Sequence, residues 1–372
     1  MKKNNNLHSI LLIILFINVF FSCNKTTKTD IYPENKLLFN QSIANDLSLF
    51  DAKNLEKEII KLSFADSILI PAYSNLLITE NNIILHSQRT FEIFRFDTEG
   101  NFINFIGKRG GGPSEFTELR DVTINTKNEN ILEVLDYESV LNYQLDGKFI
   151  KRTKIKYPAF SFVSDNNGYW FYIGNNPSFS QYKLIRSDNN FNQKNEYFKI
   201  SENGVPLIER NFVKGDDIVT FRESLSPYIY TINSELKCSY YIDFDKFEIP
   251  DAILSSKSTS MIERLNEIEY ASIMNYMENK NYTFLLIMKY TPKNMLPDLF
   301  YWIIDKKTKE EKLIRVKDFD ENSFLLYPQT LSNDDMIYFV GHDIGSVHET
   351  INPDSNPSII KMQIENLFKY EK

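Results

Sequence analysis

Several things are scarce in this sequence, and each shortage removes a class of protein. Its 372 residues include only two cysteines, Cys23 and Cys238, so no disulfide framework staples the fold and stability has to come from packing. Twelve glycines and thirteen prolines are too few for a collagen-like or low-complexity chain. Basic residues are outnumbered, 42 Lys and Arg against 50 Asp and Glu. The net charge of −8 offers no basic stripe to a nucleic-acid backbone. Histidine is nearly absent: beyond the first twenty residues there are His86, His342 and His348, without the spacing of a metal site. No Gly-x-Ser-x-Gly elbow occurs. Asp188-Asn189-Asn190-Phe191-Asn192 opens like a calcium loop but lacks the Gly and Glu that such a loop needs further on. Nothing here calls for a metal or a cofactor.

What remains is a chain that is 42% hydrophobic and 14% aromatic, enough to bury a sizeable core. Its one long apolar run, Ile10 to Phe21, follows Lys2 and Lys3 and ends at Ser22-Cys23. A basic start, a short apolar stretch and a small residue at the cut describe a secretory signal over residues 1–22. The run is shorter than the roughly 20 residues of a membrane span. A cysteine directly after the cut is the mark of a bacterial lipoprotein signal, here Phe20-Phe21-Ser22-Cys23. Cys23 is therefore the expected lipidation site, with more than one acyl chain needed for stable anchoring. Residues 23–54, polar and irregular, read as a tether. They lack the acidic cluster of a surface-export tag, so the expected address is the outer membrane, with the leaflet left open.

From residue 55 onward, short runs rich in Ile, Phe, Tyr, Leu and Val alternate with Asn, Asp, Gly and Ser clusters, which predicts an all-β fold. The runs repeat. Phe96-Asp97-Thr98-Glu99-Gly100-Asn101-Phe102-Ile103 recurs as Leu145-Asp146-Gly147-Lys148-Phe149-Ile150, 47 residues on from Gly100 to Gly147. Four weaker copies follow, the last beginning at Asp335 and resuming at Ser358. Six units of this length, each with room for four strands, predict a six-bladed β-propeller over 55–372. Glu58-Ile59-Ile60-Lys61-Leu62-Ser63-Phe64 precedes the first unit and is expected to complete the last blade, removing the open edge. Residues 247–280 are extra; Met261, Ile262, Leu265 and Ile268 permit a helix, while Ala271 to Met277 permits the inner strand of the fifth blade.

The stretch Ile106-Gly107-Lys108-Arg109-Gly110-Gly111-Gly112-Pro113-Ser114-Glu115-Phe116, following its Asp-x-x-Gly turn, resembles the six-bladed propeller lipoproteins common in Bacteroidetes, which share the NHL-type architecture. Asn356-Pro357-Ser358-Ile359-Ile360 resembles their closing strand. The resemblance implies fold and address but no catalytic residues. Gly107 to Phe116 reads as the crossing from one blade to the next, brought to the mouth of the central channel. Its glycine-rich backbone and charges make Lys108, Arg109, Glu115 and Arg120 the candidate ligand contacts. The expected function is an exported, lipid-anchored module that binds an envelope protein or a small-molecule or glycan ligand. A propeller lyase or hydrolase acting on sugar or peptide material, or a structural subunit of an envelope complex, are the alternatives.

Overall fold

The 47-residue repeat closes into a ring of six small sheets, a six-bladed β-propeller. The computed structural model describes residues 32–48, 55–63, 70, 74–200, 210–215, 218–233, 235–256, 258–294, 296–317, 327–341 and 356–371. Cys23, the signal over 1–22, His342 and His348 lie outside these residues. The inner strands of blades one to six are Asn75–Thr79, Asp121–Ile124, Ser161–Asp165, Phe212–Lys214, Tyr270–Glu278 and Pro328–Leu331. Each is followed by a hairpin to the second strand and then a meander outward, as in blade one with Asn82–Ser87, Glu92–Phe96 and Phe102–Phe105.

Burial along a blade explains the composition of its strands. The second strand is covered on both faces, so Asn82–Ser87 and Gly168–Tyr172 are buried at every position. The outer strand faces solvent, and Phe149–Lys154 is mostly exposed. Apolar side chains fill the wedges between blades: Ile84, Phe116, Val134 and Tyr143 between blades one and two, and Leu135, Phe162 and Phe171 between two and three. Between blades three and four the filling is aromatic, with Phe198 4.9 Å from Tyr230 and Tyr172 5.6 Å from Phe221.

The ring closes as expected. Glu58–Lys61 pairs antiparallel with Ser358–Gln363, Ile59 opposite Ile360 and Ile60 opposite Ile359. An ion pair of 2.8 Å joins Lys361 to Glu58. The closing strand also grips blade one: the Ser63 N–H donates to Gly100 O at 2.9 Å and the Phe102 N–H to Ser63 O at 3.0 Å. Gly100 has φ +88°, and a β-carbon there would sit 2.4 Å from Lys61 O, so only glycine lets the turn seat on this strand.

Two sequence expectations meet a different or fuller outcome. Part of the expected tether is built into the propeller: Asn35–Leu38 adds in parallel to the outer strand of blade four, and Asn45–Ser48 to that of blade five. Between them Phe39, 3% exposed, packs its ring 5.8 Å from Phe244 and 5.2 Å from Phe300, so one side chain joins two blades. In the extra segment both readings hold. Asp251–Leu254 and Ser258–Leu265 are helices packed through Ile253, Met261 and Leu265, and Tyr270–Glu278 is the fifth inner strand.

Closure makes a specific demand on stability. Ile359→Ala empties a fully buried position between blades six and one. It should lower unfolding free energy by about 3 kcal/mol, read as a lower denaturant midpoint with unchanged m-value.

Candidate functional site

The crossing from blade one to blade two brings three of the four predicted contacts together, and gives each a partner in the chain. The Lys108 ammonium lies 2.9 Å from Glu115 Oε1, and the Gly112 N–H donates to Glu115 Oε2 at 2.8 Å. The hydrogen bond to Lys108, then that from Gly112, holds the Glu115 carboxyl below its ordinary range; the same bond raises Lys108. A β-carbon on Gly110 would lie 2.0 Å from Glu115 Oε2. The glycine-rich backbone is thus wrapped around the loop's own carboxylate. Arg109 stacks over the Phe91 ring at 4.3 Å. Arg120 stands apart, bonded to Glu118 at 2.8 Å and to Ala159 O at 3.1 Å, with its guanidinium over Tyr137 and Phe160. Asp136 fastens the crossing from beneath, accepting from Thr117 Oγ1 at 2.8 Å and the Glu118 N–H at 3.0 Å.

The other concentration of polar groups is in the central channel. A cavity of about 260 Å³ is lined by Asn75, His86, Gln88, Asp121, Thr123, Arg210 and Lys214, with Leu77, Val122, Phe162, Val163 and Phe212 between them. The topology explains why these residues meet. Asn75 and Asp121 begin the inner strands of blades one and two, Arg210 precedes that of blade four, and His86 is the cross-strand partner of Asn75. Lys214 ends its inner strand and reaches across to blade two, donating to Ile124 O at 2.7 Å and Thr126 Oγ1 at 2.8 Å. It marks one end of the cavity; Arg210, bonded to Gln329 O of blade six at 2.8 Å, marks the other. Gln88 links this cavity to Arg120, whose carbonyl accepts from its amide.

Burial sets the charge states in the channel. His86 is 2% exposed and its Nδ1 has no hydrogen-bond partner. Desolvation, helped by the Arg210 charge, pushes its pKa down to about 3, so the ring is neutral at physiological pH. Asp121 is pushed up to about 6 by desolvation, against the opposing pull of the Phe162 and Val122 N–H groups, which donate at 2.9 Å each, and of Arg210. Arg210 is itself lowered by burial. Among the described residues, no three His, Cys, Asp or Glu side chains stand close enough to hold a metal ion. Cys238 is buried, and burial raises its thiol to about 11, far from a nucleophile's range.

Neither Asp121 nor Arg210 is among the contacts expected from the sequence. No local motif marks either. The available signal is positional: a charged residue at the start of an inner strand of a propeller faces the channel, and Arg210 and Asp121 both stand there.

The model of a family described as "Domain of unknown function (DUF4934)" matches residues 20–364. No curated protein matches the sequence. Among solved structures, a presumed exported protein of Bacteroides fragilis superposes with a TM-score of 0.68 at 18% identity, covering 88% of this chain and 98% of its own. A member of the DUF4221 family from Bacteroides vulgatus superposes with a TM-score of 0.51 at 10% identity, covering 82% and 97%. Both likenesses concern the fold.

The buried histidine gives stability a pH dependence with a definite sign. A folded pKa below the unfolded one means that the His86 contribution is complete above about 6.5 and is lost as pH falls toward about 3. Asp121, raised, acts oppositely: its contribution is present at low pH and lost as pH rises through about 6. Wild type should lose about 2 kcal/mol relative to His86→Gln between pH 7 and pH 5, measured by urea unfolding at each pH. Asp121→Asn should steepen the acid loss. Parallel curves for wild type and His86→Gln would contradict the assignment.

Proposed function

This chain belongs to the DUF4934 family, and on that premise we propose that it is an exported, lipid-anchored propeller that binds a small polar ligand in its central channel. The observation that carries the binding reading is the channel itself. Folding has gathered the buried His86 and the half-buried Asp121 and Arg210 around one cavity, and left His86 Nδ1 without a partner. Buried polar groups in a protein interior are ordinarily paired, because an unmet one costs on the order of 1–3 kcal/mol. A fold with six hydrophobic wedges has no structural need for such a lining, and a ligand accounts for it.

The export reading is supported by the N-terminal sequence: Lys2 and Lys3, the apolar run Ile10 to Phe21, and Ser22 before Cys23. The Bacteroides fragilis neighbour is itself named as presumed exported. Among the described residues, no helix is long and apolar enough to cross a membrane. Acyl chains on Cys23 would supply membrane attachment, with the outer membrane as the address. An envelope protein partner is the second kind of occupant this address allows.

Two measurements test the reading. Cys23→Ala should move the protein from the membrane fraction to the soluble fraction; unchanged partitioning contradicts the anchor. A screen of small polar compounds by thermal unfolding should find stabilisation that follows ligand concentration, about 2.7 kcal/mol at a hundredfold excess over Kd. Asn75→Phe, which fills the cavity, should abolish it.

A further inference from the structure

Asn75 and His86 stand directly opposite each other on the first two strands of blade one and both line the channel, and we infer that this pair receives a small uncharged polyol through a hydroxyl that bridges the two side chains. The inference rests on the reading of the channel as a ligand site. Opposed residues of an antiparallel pair share a face, with β-carbons about 4.5–5.5 Å apart. Their polar ends therefore lie side by side. Among the described residues, neither the Asn75 carboxamide nor the His86 imidazole takes part in a hydrogen bond. His86 is 2% exposed, and its Nδ1 is sealed from solvent. Nε2, equally without a partner, is not sealed, so the ring meets the cavity through that nitrogen.

The charged groups of the lining, by contrast, are already engaged. Asp121 accepts the Val122 and Phe162 N–H groups at 2.9 Å each and lies in the field of Arg210. Arg210 donates to Gln329 O at 2.8 Å, and Lys214 donates to Ile124 O at 2.7 Å and Thr126 Oγ1 at 2.8 Å. An ion entering the channel gives up its hydration and finds these groups committed, whereas an uncharged molecule gives up far less. Burial keeps His86 neutral, with one ring nitrogen protonated and the other accepting. A neutral imidazole beside a carboxamide calls for a group that donates and accepts from one atom. A hydroxyl oxygen does both, and hydrogen bonds of about 2.7–3.0 Å on either side let it span two neighbouring side chains. Leu77, Val122 and Phe212, set between the polar groups, suit the C–H surface of a polyol. A volume of about 260 Å³ lies just below the usual range of small-molecule pockets, so the ligand is a single compact polyol rather than a chain.

The test uses the intact mature protein and three probes on one carbon skeleton: glycerol, the glycerate anion and the cation of 3-amino-1,2-propanediol. Each is titrated while NMR follows the His86 ring nitrogens and the Asn75 side-chain amide. Glycerol should shift both sets of signals and bind at least about tenfold more tightly than either ion, which pays the larger desolvation cost. His86→Phe keeps the bulk of the ring and removes no hydrogen bond of the fold, so near-UV circular dichroism should show it folded. Its glycerol affinity, read at Asn75, should fall about tenfold, as for the loss of one hydrogen bond. Asn75→Leu should fall by a similar factor, read at His86. An ion that binds as tightly as glycerol, or unchanged glycerol affinity in either variant, overturns the polyol assignment and leaves the channel site standing. Silence toward glycerol while another small polar compound shifts the same signals has the same meaning. No response of these signals to any compound overturns both readings.

Discussion

One antiparallel pairing, Ile59 and Ile60 against Ile360 and Ile359, holds the ring shut. Six radial sheets define a channel only if the sixth meets the first, and the chain reaches that point with three strands in blade six. The fourth comes from the other end of the domain. Its arrival removes a sheet edge that would otherwise template association, and places Ile60 and Leu62 in the wedge between blades six and one. The turn at Gly100 then seats on Lys61 O, so blade one is locked to the same strand. The N-terminal strands at Asn35–Leu38 and Asn45–Ser48 extend the principle, covering the outer edges of blades four and five with a parallel strand each.

Closure is also what creates the site. Inner strands converge because each blade twists, and residues at their starts are carried to one end of the channel whatever their distance in sequence. Asn75, Asp121 and Arg210 come from three blades, and Gln329, which accepts from Arg210, from a fourth. The crossing loop has the opposite character. Its charges are numerous and close in sequence, yet Lys108 and Glu115 face each other, Gly112 donates to the same carboxylate, and Arg109 stacks on Phe91. Charge satisfied within its own loop acts as a brace, whereas polar groups gathered from separate blades around one cavity form the candidate site.

This contrast explains what the sequence disclosed. The repeat, the Asp-Gly turns and the closing strand are local patterns of alternation and turn chemistry, and each was legible. The two added N-terminal strands were not. Four-residue strands in a polar segment carry no alternation strong enough to read, and only Phe39 and Leu47 hint that the segment is buried. Arg210 was invisible for a different reason: its neighbours in space are His86 and Asp121, which lie in other blades, so no window of sequence contains the site. The family likeness carries the fold with it, while the channel chemistry depends on which residues the closed ring brings together.

A crystal structure of the mature protein at neutral pH tests the central claim most directly, because it shows what stands beside His86 and Asn75. The account predicts a closed ring with both side chains open to the cavity and facing ordered water or a bound ligand. Hydrogen bonds from these side chains to the rest of the chain, or a cavity filled by another part of it, would contradict it.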